Sequence, residues 1–217
     1  MHLSEIEFGS LLSYSPRGNS DSQCRSRTVT MALKNDQYVT SGSNQILMSD
    51  YIAERLATEM VRLPFVNYFN VNPILVPIPN SSFNRSGTLW VPQRLANALV
   101  RKGLGTKVVE CLKRIKPLPR SATSLAVNRP KAAAHFDSLA VEKTLFEPPE
   151  ILLIDDIVTR GATLLGAANK MSEAYPNSHI RAFAVVRTIS SPEEFINIYD
   201  PRTGTIALRG EGTFRVP

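Results

Sequence analysis

Two adjacent carboxylates and a short loop with hydroxyl side chains form the stretch of this chain best suited to chemistry. Asp155 and Asp156 follow the aliphatic residues 151–154, and a small, hydroxylated loop at 159–163 comes shortly after them. A short unbroken apolar run is typical of a strand that is buried on both faces of a parallel sheet. Beyond the loop, apolar residues recur at helical spacing as far as Met171. The stretch therefore predicts a buried strand, an acidic pair, a loop and a helix, in that order.

The loop and the acidic pair suit two parts of one ligand. A loop that leads into a helix N-terminus presents free backbone N–H groups and the positive end of the helix dipole, which favour a phosphate. Gly161 lets the backbone approach closely, Thr159 and Thr163 offer hydroxyl donors, and Arg160 adds a positive charge. Carboxylates repel phosphate, so the acidic pair needs donors such as sugar hydroxyls. A ribose 5-phosphate unit satisfies both halves.

Two other nucleotide sites place carboxylates or loops after a strand. A P-loop hydrolase requires Gly-x-x-x-x-Gly-Lys-Ser/Thr upstream, and the sequence has none. A Rossmann dinucleotide site requires Gly-x-Gly-x-x-Gly directly after the strand, and that motif is also absent. The ribose-phosphate interpretation remains.

Residues 151–164 resemble the phosphoribosyl-pyrophosphate (PRPP) signature of type I phosphoribosyltransferases. The likeness covers the aliphatic strand, the acidic pair, the Thr-x-Gly-x-Thr loop and the start of the helix. It implies that Asp155 and Asp156 hold the ribose hydroxyls and take part in catalysis. It also implies a 5-phosphate site made of Thr159, Arg160, Gly161, Ala162 and Thr163.

The same resemblance implies a fold and a reaction. The fold is α/β, a parallel twisted sheet flanked by helices, with a small hood built from the terminal segments. The reaction displaces pyrophosphate from PRPP by a nitrogen nucleophile, which the sequence does not identify. Mg²⁺ is the expected cofactor, carried by PRPP and not bound by protein ligands alone. A homodimer is expected by the same resemblance.

An earlier strand and its loop extend the likeness. Residues 74–79 read as a buried strand that two prolines end, and a polar loop follows at 80–87. In the resembled family the loop after the first core strand binds pyrophosphate, which makes Ser81, Ser82 and Arg85 candidates. The opening Val-Pro-x-Pro resembles the competence-associated branch of the family. An ordinary turn is the alternative interpretation.

The basic segment 113–129 resembles the mobile loop that closes over the site in type I enzymes. Closure would exclude water and bring positive charge to the leaving pyrophosphate. Lys116, Arg120 and Arg129 are alternatives for that charge, and Arg120 stands as the catalytic candidate. A solvated loop is one alternative. A nucleic-acid contact is another, although no interleaved aromatic residues support base stacking.

His135 follows a helix-like stretch and has two interpretations. A lone histidine at such a junction is more often structural, whereas its ordinary protonation range suits proton transfer.

The chain is divided into an N-terminal segment at 1–48, a core at 49–190 and a C-terminal tail at 191–217. Residues 6–12 could form a short strand, and polar residues 13–30 read as a loop or as a cap over the site. The tail predicts a hairpin whose turn lies at 200–204. In the core, Ser49 or Asp50 is expected to cap a helix. The core elements are helices at 50–63 and 90–102 and strands at 74–79, 106–112, 151–154 and 180–187.

Composition indicates the cellular compartment and the kinds of binding partner that suit this chain. The 217 residues carry a net charge of +6 and the pI is about 9.5. That charge suits a substrate with several phosphates, and it leaves a nucleic-acid or protein partner open. Cys24 and Cys111 match no metal or disulfide spacing, so a cytoplasmic protein is expected. No apolar run approaches the roughly 20 residues of a membrane helix.

Two rival functions remain at this point. The first is a non-catalytic module that senses PRPP or a nucleotide and acts through a protein or nucleic-acid partner. The second is an enzyme that uses water as the nucleophile and cleaves a nucleotide or nucleoside.

Overall fold

A computed structural model of the chain describes residues 2–83, 87–119 and 130–217. The strands are β1 (Glu5–Tyr14), β2 (Tyr38–Ser41), β3 (Asn44–Leu47), β4 (Ile74–Pro77), β5 (Lys107–Val108), β6 (Leu112–Arg114), β7 (Leu139–Val141), β8 (Glu150–Val158), β9 (His179–Thr188), β10 (Tyr199–Arg209) and β11 (Gly212–Val216). The helices are α1 (Asp21–Lys34), α2 (Met48–Glu59), α3 (Val66–Asn70), α4 (Val91–Arg101), α5 (Ala132–Asp137) and α6 (Ala162–Ala174). Short 3₁₀ turns lie at Met60–Arg62 and Pro192–Glu194.

Seven of these strands form one sheet in the order β11-β10-β1-β9-β8-β4-β5. Strands β1, β9, β8, β4 and β5 pair in parallel, whereas β10 pairs antiparallel with both β1 and β11. Parallel strands need crossover connections, and helices supply the long ones here. The fold is therefore α/β with a mostly parallel sheet flanked by helices, which confirms the predicted class.

Strand β8 is buried on both faces, as its apolar run predicts. Leu152 and Ile154 belong to a core that includes residues of α2 and α4. Ile151 and Leu153 belong to the opposite core, which includes residues of α6. Because side chains alternate along a strand, each face of β8 serves a different helical layer. This two-sided burial fixes the strand that carries the acidic pair.

Helix α2 is present where expected, but its predicted caps are wrong. The helix begins at Met48, and the N-cap residue Leu47 makes no side-chain cap bond. Ser49 instead donates its N–H and hydroxyl to the buried carboxylate of Asp36, at 2.8 and 3.2 Å. Asp36 also accepts from Arg94 of α4 at 3.0 Å. Ser49 therefore links two parts of the chain and does not cap the helix, although the predicted inner face is buried.

The strand predicted at 106–112 is divided. Residues of β5 pair with β4 at the sheet edge, and β6 pairs with β7 in a separate ribbon. Lys113 and Arg114 belong to β6, so the segment predicted as a loop from residue 113 begins later. Arg114 is buried, which explains why the chain continues as a strand there.

The terminal segments enter the sheet itself. Strand β1, predicted as a short strand outside the core, lies between β9 and β10. Helix α1 occupies most of the stretch predicted as a loop, and a capping box between Ser20 and Gln23 starts it. Its buried residues include Gln23, Ser26 and Thr30, so no apolar period signals the helix. The terminal segments therefore supply strands of the same sheet as the core. The domain bounds at 48/49 and 190/191, and a hood built from the terminal segments, stay predictions.

The C-terminal tail contains a hairpin of β10 and β11, but the turn predicted at 200–204 is wrong. Strand β10 runs through these residues and pairs with β1, and the turn lies at Gly210 and Glu211. Asp200 forms an ion pair with the buried guanidinium of Arg187 on β9. That contact, together with pairing to β1, overrides the local turn preference of Asp-Pro-x-x-Gly.

Candidate functional site

A cavity of about 780 Å³ opens at the carboxyl ends of β1, β9, β8 and β4. It brings together the following predicted site residues: Asp155, Asp156, Thr159, Arg160, Thr163 and Ser81. Gly161 and Ala162 line an adjoining pocket of about 200 Å³, which shares Asp155 and Thr163 with the cavity. Ligands of α/β sheets bind at this edge, where strands end and helices begin.

Among the described residues, two of the predicted candidates, Ser82 and Lys116, do not line this cavity. Ser82 is exposed and lies outside the cavity. Arg85 and Arg120 lie outside the described residues, as does Arg129. Lys116 is exposed and is not among the lining residues.

The acidic pair lies within β8, which continues to Val158. Each carboxylate accepts one backbone N–H, from Asp156 to Asp155 Oδ1 at 3.0 Å and from Ile157 to Asp156 Oδ1 at 2.8 Å. Among the described residues, no Lys, Arg or His lies within salt-bridge distance of either carboxylate. The pair therefore keeps accepting capacity for sugar hydroxyls or a cation.

Burial is the largest influence on the pKa of both carboxyls. Burial, and then the neighbouring charge of Asp156, raises the pKa of Asp155 well above its ordinary value. Burial also raises the pKa of Asp156. Arg114 opposes the shift of the Asp155 pKa, and Lys34 opposes that of Asp156. The two cations therefore act on the pair through space and leave its oxygens available.

The loop before α6 depends on one glycine. Gly161 is the N-cap of α6 and has a φ of +83°, in the left-handed region that side chains disfavour. A Cβ at this position would lie 2.5–2.7 Å from side-chain atoms of Ile206 on β10. The loop can therefore approach β10 only without a side chain at residue 161.

The C-terminal hairpin braces the same loop. Arg215 on β11 donates to the carbonyl oxygen of Thr159 at 2.9 Å and to that of Thr188 at 2.7 Å. The hydroxyls of Thr159 and Thr188 lie 3.3 Å apart. Sequence reasoning missed Arg215, because a contact across 56 positions of the chain leaves no local pattern.

His135 lies beneath the loop and does not suit proton transfer. The ring is 3% exposed, and its Nε2 lies 3.4 Å from the hydroxyl of Thr163. Burial, and then the charge of Arg114, lowers the pKa of His135 to about 4. The ring is therefore neutral near pH 7, where it can orient the Thr163 hydroxyl.

Arg114 is a second residue that sequence reasoning misplaced. Its guanidinium donates to the carbonyl oxygens of Asn80 and Pro79, at 3.1 and 3.5 Å, and to the hydroxyl of Ser138. Burial lowers the pKa of Arg114 to about 10, so the group stays charged near pH 7. It holds the turn after β4 at the cavity edge. The only sequence signal for the burial of Arg114 is its position two residues after the apolar Leu112, which places both on the same face of β6.

Another part of the cavity wall comes from parts of the chain that sequence reasoning left undefined. The first part is the end of β1 with the turn after it, the second is the end of α1, and the third follows β9. Their lining residues are Tyr14, Pro16, Arg17, Lys34, Asn35, Thr188 and Ser190.

Comparisons with known proteins give weak likenesses. No family model matches the chain, and no curated protein matches it. The chain aligns with the crystal structure of a hypoxanthine phosphoribosyltransferase from Staphylococcus aureus at 14% identity and a TM-score of 0.32, covering 69% of this chain and 68% of that one. It also aligns with the alanine mutant from an analysis of an invariant aspartic acid in HPRTs, at 16% identity and a TM-score of 0.31, covering 75% and 89%. The fold assignment therefore rests on the strand order and connections of this chain itself.

The described ranges contain neither a metal-binding cluster nor a membrane-spanning helix. No group of three or more His, Cys, Asp and Glu side chains there is placed to hold a metal ion. Within the same ranges, no helix combines the length and apolar character that crossing a membrane requires.

The packing of Gly161 gives a first prediction. Gly161→Ala should lower the free energy of unfolding by about 2–4 kcal/mol, since the left-handed backbone disfavours a Cβ and the Cβ meets Ile206. Gly210→Ala is the matched control, because Gly210 also has a positive φ, +58°, but nothing lies within 4 Å of its Cβ position. Urea unfolding should show a loss of only about 1–2 kcal/mol for the control. Equal losses of stability in Gly161→Ala and Gly210→Ala would contradict the close packing of Gly161 against Ile206.

The raised pKa of Asp155 gives a second prediction. The folded chain holds this proton more tightly than the unfolded chain, so wild-type stability falls as pH rises from the unfolded pKa through the folded one. Asp155→Asn removes the buried charge and should raise the melting temperature at pH 7.5 by a few degrees, at about 2–4 °C per kcal/mol. The gain should shrink at pH 4.5.

Asp137→Asn provides a control at an exposed aspartate of α5, and thermal melts should show little change at either pH. A lower melting temperature of Asp155→Asn at pH 7.5 would mean that the carboxylate stabilises the fold.

Proposed function

We propose that this protein binds PRPP and transfers its phosphoribosyl group to a nitrogen nucleophile with release of pyrophosphate. One observation carries the proposal: the acidic pair of β8 and the glycine-led N-terminus of α6 line connected cavities at one edge of the sheet. Carboxylate oxygens accept from hydroxyls, and a helix N-terminus favours a phosphate. A sugar phosphate joins these two requirements in one molecule.

The 5-phosphate is assigned to residues 159–163. The backbone N–H groups at the start of α6 have no partner within the helix, and Thr159 and Thr163 add hydroxyls at the cavity. His135 contacts the Thr163 hydroxyl, and Arg215 donates to the Thr159 carbonyl oxygen. Arg160 brings a positive charge to the same edge. This half of the site is largely formed by backbone and neutral donors.

Pyrophosphate is assigned to the turn after β4. Ser81 lines the cavity there, and Arg114 fixes the carbonyl oxygens of the two preceding residues. Ser82 and Arg85 remain part of the proposal on the strength of the family resemblance.

Described residues on either side of 120–129 lie at the site, which supports the closing loop that the resemblance implies. Leu118 donates its N–H to the carbonyl oxygen of Ser81 at 2.9 Å, and Pro130 lines the phosphate pocket. The proposed catalytic charge of Arg120 belongs to this segment.

Magnesium fits the donor chemistry of the acidic pair. Mg²⁺ prefers oxygen ligands and is usually bound through one or two carboxylates together with substrate phosphates and water. Asp155 and Asp156 would hold it indirectly, through the ribose hydroxyls of the PRPP that carries the ion. When bound, the ion would stabilise the negative charge of the departing pyrophosphate.

The chain's own contribution to the reaction is positioning and electrostatics. The acidic pair would orient the ribose, and its negative charge would stabilise positive charge that develops on the ring as the bond to pyrophosphate lengthens. The loop at 159–163 would anchor the opposite end of the sugar. With both ends of the sugar fixed, the nucleophile would reach C1 from one defined direction.

Binding of PRPP tests this proposal. Calorimetric titration with PRPP and Mg²⁺ should give a dissociation constant in the micromolar range, about −8 kcal/mol. The Asp155→Asn/Asp156→Asn double variant should bind at least about 100-fold more weakly, because its amides accept hydroxyls poorly and do not attract Mg²⁺. Asp137→Asn should bind as the wild type does. Absence of binding to the wild type would overturn the proposal.

Product analysis separates transfer from its rivals. Release of pyrophosphate that depends on an added nitrogen acceptor marks transfer, whereas ribose 5-phosphate formed without an acceptor marks hydrolysis. Binding of PRPP without either product would favour the sensing module. A homodimer, and a protein or nucleic-acid partner, stay proposals by resemblance and by net charge.

A further inference from the structure

One wall of the large cavity has no role in binding PRPP as assigned above. We call Tyr14, Arg17 and Ser190 the acceptor wall, since they line the cavity at the ends of β1 and β9. The acidic pair is on β8 and the pyrophosphate turn follows β4, so the order across the sheet is β1, β9, β8, β4. The wall therefore lies on the side of the ribose site away from the pyrophosphate turn.

The direction of substitution gives this wall a function. When pyrophosphate leaves C1 of the ribose, the C1–oxygen bond breaks with its electron pair going to pyrophosphate. The nitrogen supplies the electron pair for the new bond from the opposite face, and it loses a proton to solvent or to a basic group. Because the leaving group is assigned to the β4 side, the nucleophile approaches from the β9 and β1 side. The acceptor wall faces that approach.

The turn that carries Arg17 is held in place by several bonds. Arg27 donates to the carbonyl oxygens of Ser15, Arg17 and Gly18, at 3.4, 3.3 and 2.9 Å. Ser15 is buried, and its hydroxyl donates to the Arg17 carbonyl oxygen at 2.8 Å. Gln23 donates to the carbonyl oxygen of Pro192 at 2.9 Å, which ties α1 to the segment after β9. The Arg17 side chain therefore projects from a fixed backbone.

Charge sets the chemistry that this wall would recognise. In the part of the chain that the structure describes, Arg17 forms no ion pair, and the acidic pair provides the only carboxylates that line the cavity. Lys34, Arg114 and Arg160 are the other cations that line the cavity. A guanidinium binds carboxylate or phosphate oxygens in a two-bond geometry, and an aromatic ring such as Tyr14 can stack on a planar heterocycle.

We propose that the nitrogen acceptor is a planar compound that carries a carboxylate, and that Arg17 binds this group. The inference rests on the proposed function, because it assumes a ribose phosphate on the acidic pair. Arg17 is then a specificity residue, since a neutral acceptor of the same shape would leave the guanidinium unmatched.

Nucleotides provide a test that needs no turnover. Orotidine 5′-monophosphate and uridine 5′-monophosphate share a ring and differ by a carboxylate, and nicotinate and nicotinamide mononucleotides form a second such pair. Calorimetry should show that the wild type binds the acid of at least one pair about 10-fold more tightly than its neutral counterpart. Arg17→Gln should reduce that ratio to below about 3-fold, while ribose 5-phosphate binds to wild type and variant alike.

Arg25→Gln is the matched control. Arg25 is an exposed cation on α1 that does not line the cavity, so its loss changes net charge equally and should leave the ratio unchanged. Equal binding of acid and neutral nucleotides to the wild type would overturn the inference, as would a ratio that survives in Arg17→Gln. So would ribose 5-phosphate binding about 10-fold more weakly to Arg17→Gln, because Arg17 would then serve the sugar phosphate. If the wild type does not bind ribose 5-phosphate at all, the proposed function itself fails.

Discussion

The main electrostatic constraint on this structure is the burial of two adjacent carboxylates on one strand. Burial raises the pKa of both carboxyls, and the neighbouring charge of Asp156 adds to the rise at Asp155. Arg114 and Lys34 offset part of these pKa rises from a distance. Neither takes up the carboxylate oxygens, so the remaining compensation is left to a ligand. Active sites commonly retain such unfavourable arrangements.

The terminal segments complete the site around this pair. From the C-terminal side, Ile206 fills the space beside Gly161, and Arg215 fixes the Thr159 carbonyl. From the N-terminal side, the end of β1 and helix α1 form the wall that carries Arg17 and Lys34. Segments that look peripheral in the sequence therefore set the shape of the phosphate loop and the charge of the opposite wall.

Local patterns predicted the central part of the fold, and long-range contacts explain what they missed. The strand, acidic pair, loop and helix at 151–174 are readable because each signal lies within a few neighbouring residues. Helix α1 is not readable, because Gln23, Ser26 and other polar residues occupy its inner face. The turn signal around Asp200 failed because Arg187 and β1 hold that stretch extended. Arg114 acts on the turn after β4 across 34 positions, and no sequence period encodes such a contact.

A crystal structure with ribose 5-phosphate and Mg²⁺ would test the central claim most directly. The account predicts the phosphate within hydrogen-bond distance of the backbone N–H groups at 161–163. It predicts the ribose hydroxyls on the carboxylates of Asp155 and Asp156, with C1 open toward Arg17. A phosphate bound elsewhere, or a ribose whose hydroxyls point away from the acidic pair, would contradict the assignment of this site.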